Sequence, residues 1–321
     1  VTFPLFNRPG TVVFVDDDPD YLEMLALVLP RQWHVRLFLR PQDCIAQLQQ
    51  EPPFWEADAW NQQQLVDHWR AGRPLVPQVL EYWARHTERY ALSRVCVVDY
   101  SMPGMDGLQA LAELGDWPGS RVLLTGQADD QLAIDAFNRG LIQQFVPKQM
   151  PDIARHLTDV VQRLMGTPHP RHAQTWRATL KPEHHDMLRN ASVARDLAAL
   201  AAKRWVEHVV VGEPFGILGL DAAGYASWLQ LETPAGLPAL AELAQVEGLP
   251  PAHVADIRAG RTLVNLELAQ SLQQPPELAE AMAIGADRDL VGAIFPVQTQ
   301  SLRDAGYSRW LARQPARRIE D

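Results

Sequence analysis

Asp16 and Asp17, Asp99, Thr125 and Lys148 each stand directly after a short apolar run: Val12-Val13-Phe14-Val15, Val95-Cys96-Val97-Val98, Val122-Leu123-Leu124 and Phe145-Val146-Pro147. Such runs read as strands buried on both faces of a parallel sheet. The residue that ends each run then falls at the carboxyl edge of the sheet, where α/β folds place their ligands. Gathered there, the acids, the hydroxyl and the lysine have a coherent chemistry. Clustered carboxylates repel one another and favour a hard cation such as Mg²⁺. Asp99 can attack phosphorus as a carboxylate nucleophile. Thr125 and Lys148 can hold the negative charge of the equatorial oxygens. Each residue alone has a plainer reading, as acidic loop, strand-end threonine or surface lysine. Their joint placement at strand ends favours the site.

The elements needed to position them are legible in order. A strand over 11–15 leads into a helix whose apolar residues Tyr21, Leu22, Met24, Leu25 and Val28 recur at helical spacing. Val35, Leu37 and Leu39 alternate as a second strand, and 41–50 forms a second helix. Beyond Asp99 the Pro103-Gly104 turn precedes a helix over 107–114. A strand over 121–124, a helix over 128–139 stopped by Gly140, a strand about Phe145-Val146 and an amphipathic helix over 151–165 complete the series. Five β-α units with short connections specify a doubly wound five-stranded parallel sheet.

Val-Asp-Asp-Asp-Pro (15–19), Val-Asp-Tyr-Ser-Met-Pro-Gly-Met-Asp-Gly (98–107), Thr125 and Val-Pro-Lys (146–148) together resemble the receiver domain of two-component response regulators. The resemblance implies a flavodoxin-like sheet of order 2-1-3-4-5. Asp16 and Asp17 become Mg²⁺ carboxylates, Asp99 the phosphoacceptor and third metal carboxylate, and the Ser101 backbone carbonyl a further metal ligand. Thr125 and Lys148 match the family's switch hydroxyl and lysine, and Phe145 its aromatic switch, without a phenol to bond. Ser101 and Gln127 lie two residues beyond Asp99 and Thr125, where the family tunes phosphate lifetime. The implied phosphodonor is a histidine kinase or phosphotransfer protein.

One departure stands out. Asp17 and Asp99 are separated by about twice the length a plain receiver needs, and the excess lies at 51–94. It carries four of the ten tryptophans, Trp55, Trp60, Trp69 and Trp83, and reads as two short amphipathic helices broken at Gly72-Arg73-Pro74. They are expected at the end of the sheet opposite the acidic residues. They either pack on their own domain or offer Trp and Tyr anchors to a partner.

The length of 321 residues suggests two domains, and a formal net charge of −10 disfavours non-specific nucleic-acid binding. No apolar run is long enough to cross a bilayer, the opening residues lack a signal-peptide layout, and the two cysteines form no metal or disulfide pattern. A cytoplasmic protein is expected. Turn formers at 166–172 suggest a boundary, giving a receiver over 1–166, a linker over 167–182 and an α+β output or sensor domain over 183–321.

That second half opens with a long helical stretch from Pro182. His184 and His185 read as solvated residues near its start. A hairpin follows, formed by runs 215–220 and 225–231 about Asp221 and Gly224. Helices are expected at 238–246 and 251–259, an ambiguous segment at 261–272, and a second hairpin from 282–284 and 290–297. Long helix, Gly-Ile-Leu-Gly-Leu-Asp-Ala-Ala-Gly-Tyr (216–225) and strand weakly resemble the opening of a PAS sensor domain. That implies dimerisation, here a homodimer, or a small-molecule ligand. His208 and His253 read as surface residues rather than heme ligands, and the tail over 313–321 as a solvated end. No DNA-reading helix-turn-helix, cyclic-dinucleotide motif or Walker loop is visible. The output is therefore expected to be a non-DNA-binding module acting through protein, dimer or ligand. An unrecognised enzyme under receiver control and a cryptic DNA reader are the alternatives.

Overall fold

The computed structural model describes residues 2–126, 130–299 and 302–320. These form two compact units, each assembled from separated stretches of chain. One takes in 8–60, 88–169 and 310–321, and the other 1–7, 61–87 and 170–309.

The first unit is built on a parallel sheet. Its strands Thr11–Val15, His34–Phe38, Ser93–Asp99, Ser120–Thr125 and Gln144–Pro147 lie in the expected order, with Thr11–Val15 between His34–Phe38 and Ser93–Asp99. Alternate side chains feed two cores. Val13, Val15, Cys96, Val98 and Leu123 pack with helices Pro41–Leu48, Gly107–Glu113 and Asp130–Asn138. Val12, Phe14, Val95, Val97 and Leu124 pack with Pro19–Val28 and Ile153–Met165. Burial on both faces is why Val12-Val13-Phe14-Val15 and Val95-Cys96-Val97-Val98 read as unbroken apolar runs. At the amino edge, Glu51 accepts bonds from Ser93 N and Oγ (3.1 and 2.6 Å). The inserted segment thus departs from the edge opposite Asp99, as expected.

A sixth strand corrects the reading of the tail as a solvated end. Ile319–Glu320 pairs in parallel with His34–Phe38, opposite Leu37 and Phe38. Glu320 accepts a bidentate pair from Arg36 (2.7 and 2.6 Å). The Arg317 guanidinium bonds the carbonyls of Ala26, Leu29, Pro30 and Trp33 at the end of the first helix. An arginine with four carbonyls about it is anchored rather than solvated. Elsewhere in this unit Arg8 is buried in a bidentate pair with Asp58 (2.8 and 3.0 Å).

The second unit carries an antiparallel sheet in the order Phe6–Asn7, Glu207–Gly212, Phe215–Leu220, Ala226–Glu232, Leu290–Val297, Met282–Ile284. Both expected hairpins are present, and Gly224 turns the first at φ +91°. Val209, Val211, Leu218, Trp228 and Phe295 point to one core, and Val210, Ile217, Leu229 and Leu231 to the other. Helices Leu237–Val246 and Pro251–Arg258 match their expected places, and the ambiguous segment splits into strand Thr262–Val264 and helix Leu266–Leu272. This is the expected α+β architecture.

Several local expectations change. The insertion forms helices Pro52–Arg70 and Leu75–Arg85, but residues 61–87 belong to the second unit rather than to the one built on the parallel sheet. Leu75, Val76, Val79, Leu80, Tyr82 and Trp83 are buried in the core that holds Trp228. The amphipathic stripe was legible; its partner was not. The stretch read as a linker contains helix Pro170–Arg177, with Trp176 buried and bonded through Nε1 to Gln62 (2.8 Å). The long helix from Pro182 breaks at Asn190, whose side chain caps Ala191–Arg204 through Ser192 N and Val193 N. His184 is buried and stacked on Phe215 at 4.0 Å, and His208 is buried against Phe3 at 5.0 Å. Hydrogen bonds offset part of the lost hydration, from Lys181 N to His184 Nδ1 (3.4 Å) and between His208 Nε2 and Pro4 O (3.1 Å), so neither is a surface residue.

Candidate functional site

Local chemistry fixes each member of the acidic edge. Asp16 follows the Thr11–Val15 strand, where its N–H donates to Phe38 O (3.1 Å) and its Oδ1 accepts from Asp18 N (3.1 Å). Asp18 then caps helix Pro19–Val28 through Asp20 N and Tyr21 N, with Pro19 preset for the first turn. Asp99 ends its own strand, and its Oδ2 accepts from Ser101 N (3.2 Å). The next helix begins against the Asp99 carbonyl: a Cβ at Gly107 would lie 2.2 Å from that oxygen. Only glycine permits this approach, which gives the Met-Asp-Gly signature its physical meaning. Gly104, at φ +79°, makes the preceding turn.

These loops bring Asp16, Asp17 and Asp99 together, with one carboxylate oxygen from each inside a 4.8 Å span. Lys148 follows strand Gln144–Pro147, pinned by its N–H to Thr125 O (2.6 Å). Its Nζ lies 2.6 Å from Asp16 Oδ2 and 2.9 Å from Asp99 Oδ1. Asp16 and Asp99 are buried and Asp17 is exposed, so the cluster opens to solvent on the Asp17 side. Thr125 is buried at the end of its strand, and Phe145 is half-buried against the core that includes Val98 and Leu123. Ser101 is exposed, and Gln127 lies outside the described residues.

Burial raises the Asp16 carboxyl above its ordinary value, and the Lys148 bond only partly offsets this. Burial works against the Lys148 charge too, but bonds to Asp16 and Asp99 outweigh it and the ammonium is held above its ordinary range. One ammonium against three carboxyl groups leaves the cluster short of positive charge. Apart from Lys148, Asp16 Oδ2 and Asp99 Oδ1 have no hydrogen-bond donor among the described residues. An all-oxygen donor set with unbonded lone pairs fits a hard divalent cation.

One neighbour of Lys148 carries no mark of its role in the sequence. Tyr21, counted there among the apolar positions of its helix, places its ring centroid 4.6 Å from Lys148 Nζ. Its spacing signalled burial and nothing more.

The architecture, a parallel sheet of order 2-1-3-4-5 with an added edge strand and a second unit on an antiparallel sheet, is one already seen in a solved structure. The structure of the Legionella pneumophila response regulator LqsR is similar along its whole length, at 24% identity, 98% coverage of both chains and a TM-score of 0.72. Also similar are a CheY-like receiver domain protein from Methanospirillum hungatei (13% identity, 49% of this chain and 94% of that chain, TM-score 0.33) and the receiver domain of an HD domain-containing protein from Pseudomonas fluorescens (18%, 54% and 96%, TM-score 0.33). No family model matches the sequence, and no curated protein matches it.

Proposed function

We propose that this chain is a two-component response regulator phosphorylated on Asp99 by a histidine kinase or phosphotransfer protein. The observation that carries the reading is Lys148 Nζ lying 2.6 Å from Asp16 and 2.9 Å from Asp99, beside Asp17. An Asp99 carboxylate oxygen attacks phosphorus of the phosphohistidine; the P–N bond breaks and the imidazole leaves with a proton. Mg²⁺ held by Asp16, Asp17, Asp99 and the Ser101 carbonyl would supply neutralising charge as the anionic donor approaches. Lys148 follows the developing charge from Asp16 toward the phosphoryl oxygens, and the Thr125 hydroxyl donates to another. With Thr125 drawn in, Phe145 turns toward the space it leaves, and the face formed by helix Asp130–Asn138 and strand Gln144–Pro147 is reshaped.

The signal passes to the antiparallel unit, which acts through protein contact, homodimerisation or a small-molecule ligand rather than by reading DNA. The net charge of −10 supports that exclusion. A cytoplasmic location is part of this proposal; no helix among the described residues is long and apolar enough to cross a membrane.

Acetyl phosphate with Mg²⁺ is expected to give the wild-type chain a hydroxylamine-sensitive label that chelation prevents and Asp99→Asn abolishes. Continued labelling of Asp99→Asn would refute the assignment.

A further inference from the structure

Tyr21 sits in the first turn of helix Pro19–Val28, just past the loop that carries Asp16 and Asp17. Its hydroxyl is buried and has no hydrogen-bond partner among the described residues. Burial pushes the phenol up to about 12, so it stays neutral. A phenol that neither ionises nor bonds leaves the ring as its working part. That ring lies 4.6 Å from Lys148 Nζ, within the range at which an aromatic quadrupole attracts a cation. The ammonium has three donors; Asp16 and Asp99 engage it at 2.6 and 2.9 Å, and the ring is within reach of the third.

Lysine is a flexible point charge with four rotatable bonds, and nothing in its own geometry keeps it over Asp99 once Asp16 releases it. An aromatic face beside it does so without competing for the phosphoryl oxygens, and it denies water the same space. We propose that Tyr21 is a positioning residue for Lys148, its ring holding the ammonium against Asp99 and thereby setting how readily Asp99 takes a phosphoryl group and how long it keeps it. The rate and lifetime parts rest on the function proposed above; the ring–ammonium contact does not.

The test has two arms on the full chain. In proton and nitrogen NMR, the ring current is expected to move the Lys148 ε-methylene and ammonium protons upfield in wild type and Tyr21→Phe, and not in Tyr21→Leu. This arm needs no phosphorylation. In the second, Tyr21→Leu is expected to slow labelling by acetyl phosphate by ~3- to 10-fold, the range a partly desolvated cation–π contact supports. Tyr21→Phe is expected to rescue it. In a Lys148→Ala background, Tyr21→Leu is expected to add nothing, because the two residues act as one unit. Should Tyr21→Leu fail to fold, Tyr21→Met, unbranched and ringless, carries the same comparison.

Absence of the upfield shift in wild type overturns the proposal, as does equal slowing by Phe and Leu, or an effect of Leu that persists without Lys148. If the shift is present but no variant and no wild-type protein takes label, the contact stands and the reading of Asp99 fails.

Discussion

At the scale of single residues, burial decides which titratable groups matter. His34 is held neutral, with burial and then the neighbouring Arg36 pushing it down to about 4. Its Nδ1 lies 2.7 Å from Thr11 Oγ1, whose own proton goes to Ala91 O, so the imidazole is the donor. Burial likewise pushes His208 down to about 4 in the other unit, where Nε2 meets Pro4 O at 3.1 Å. Both folded values lie below the unfolded one near 6.5. The unfolded chain therefore takes up protons first on acidification, and stability falls as pH drops from about 6.5 to about 4. Each histidine accounts for a loss on the order of 3 kcal/mol across that window. Urea midpoints measured from pH 7.5 to 4.5 should show this slope, and His34→Gln with His208→Gln should flatten it at the cost of some stability at neutral pH. A slope unchanged in the double variant would assign the effect to other groups. Residue chemistry at the acidic edge was legible because each acid, hydroxyl and amine ends an apolar run. His34, His208 and Tyr21 were not, because polar groups whose partners are distant in sequence carry no local mark.

Elements show where local pattern stops informing. Four strands of the parallel sheet were legible because burial on both faces writes them as apolar runs, and His34–Phe38 was legible through the alternation of Val35 and Leu37. Phe6–Asn7 and Ile319–Glu320 have two residues each, too few to display any period. Helix Leu75–Arg85 announced a buried face, but amphipathicity gives the direction of burial and not the partner. The tail strand has a direct test. Removing residues 315–321 takes away the Arg36–Glu320 pair, the Arg317 anchor and the strand beside Leu37. Hydrogen exchange should then accelerate by tenfold or so at amides of His34–Phe38, as expected for loss of about 1–2 kcal/mol of local protection, while Ser93–Asp99 stays slow. Equal exchange in both chains would make the tail a bystander.

For the whole molecule, the instructive fact is how often the chain changes unit. Residues 1–7, 61–87 and 170–309 form one, and the stretches between and after them the other. A boundary sought at a turn-rich stretch assumes that each unit is one continuous piece, and sequence offers no local sign when it is not. A fragment ending at residue 166 should therefore fare badly. It keeps the buried face of Leu75–Arg85 but loses Val209, Trp228 and Phe295 from the core that covers it. Such a fragment is expected to bind a hydrophobic dye and to unfold at lower urea than the parallel-sheet unit within the full chain. A fragment with a sharp, unshifted transition and no dye binding would show that 1–166 is self-sufficient.

The Ile319–Glu320 strand also sets a timetable. A parallel sheet whose first strand begins at Thr11 gains its outermost member from residues the ribosome makes some three hundred codons later. The nascent protein must wait, with one flank of that sheet uncovered, while everything between is translated, so the earliest structure to appear is the last to be finished.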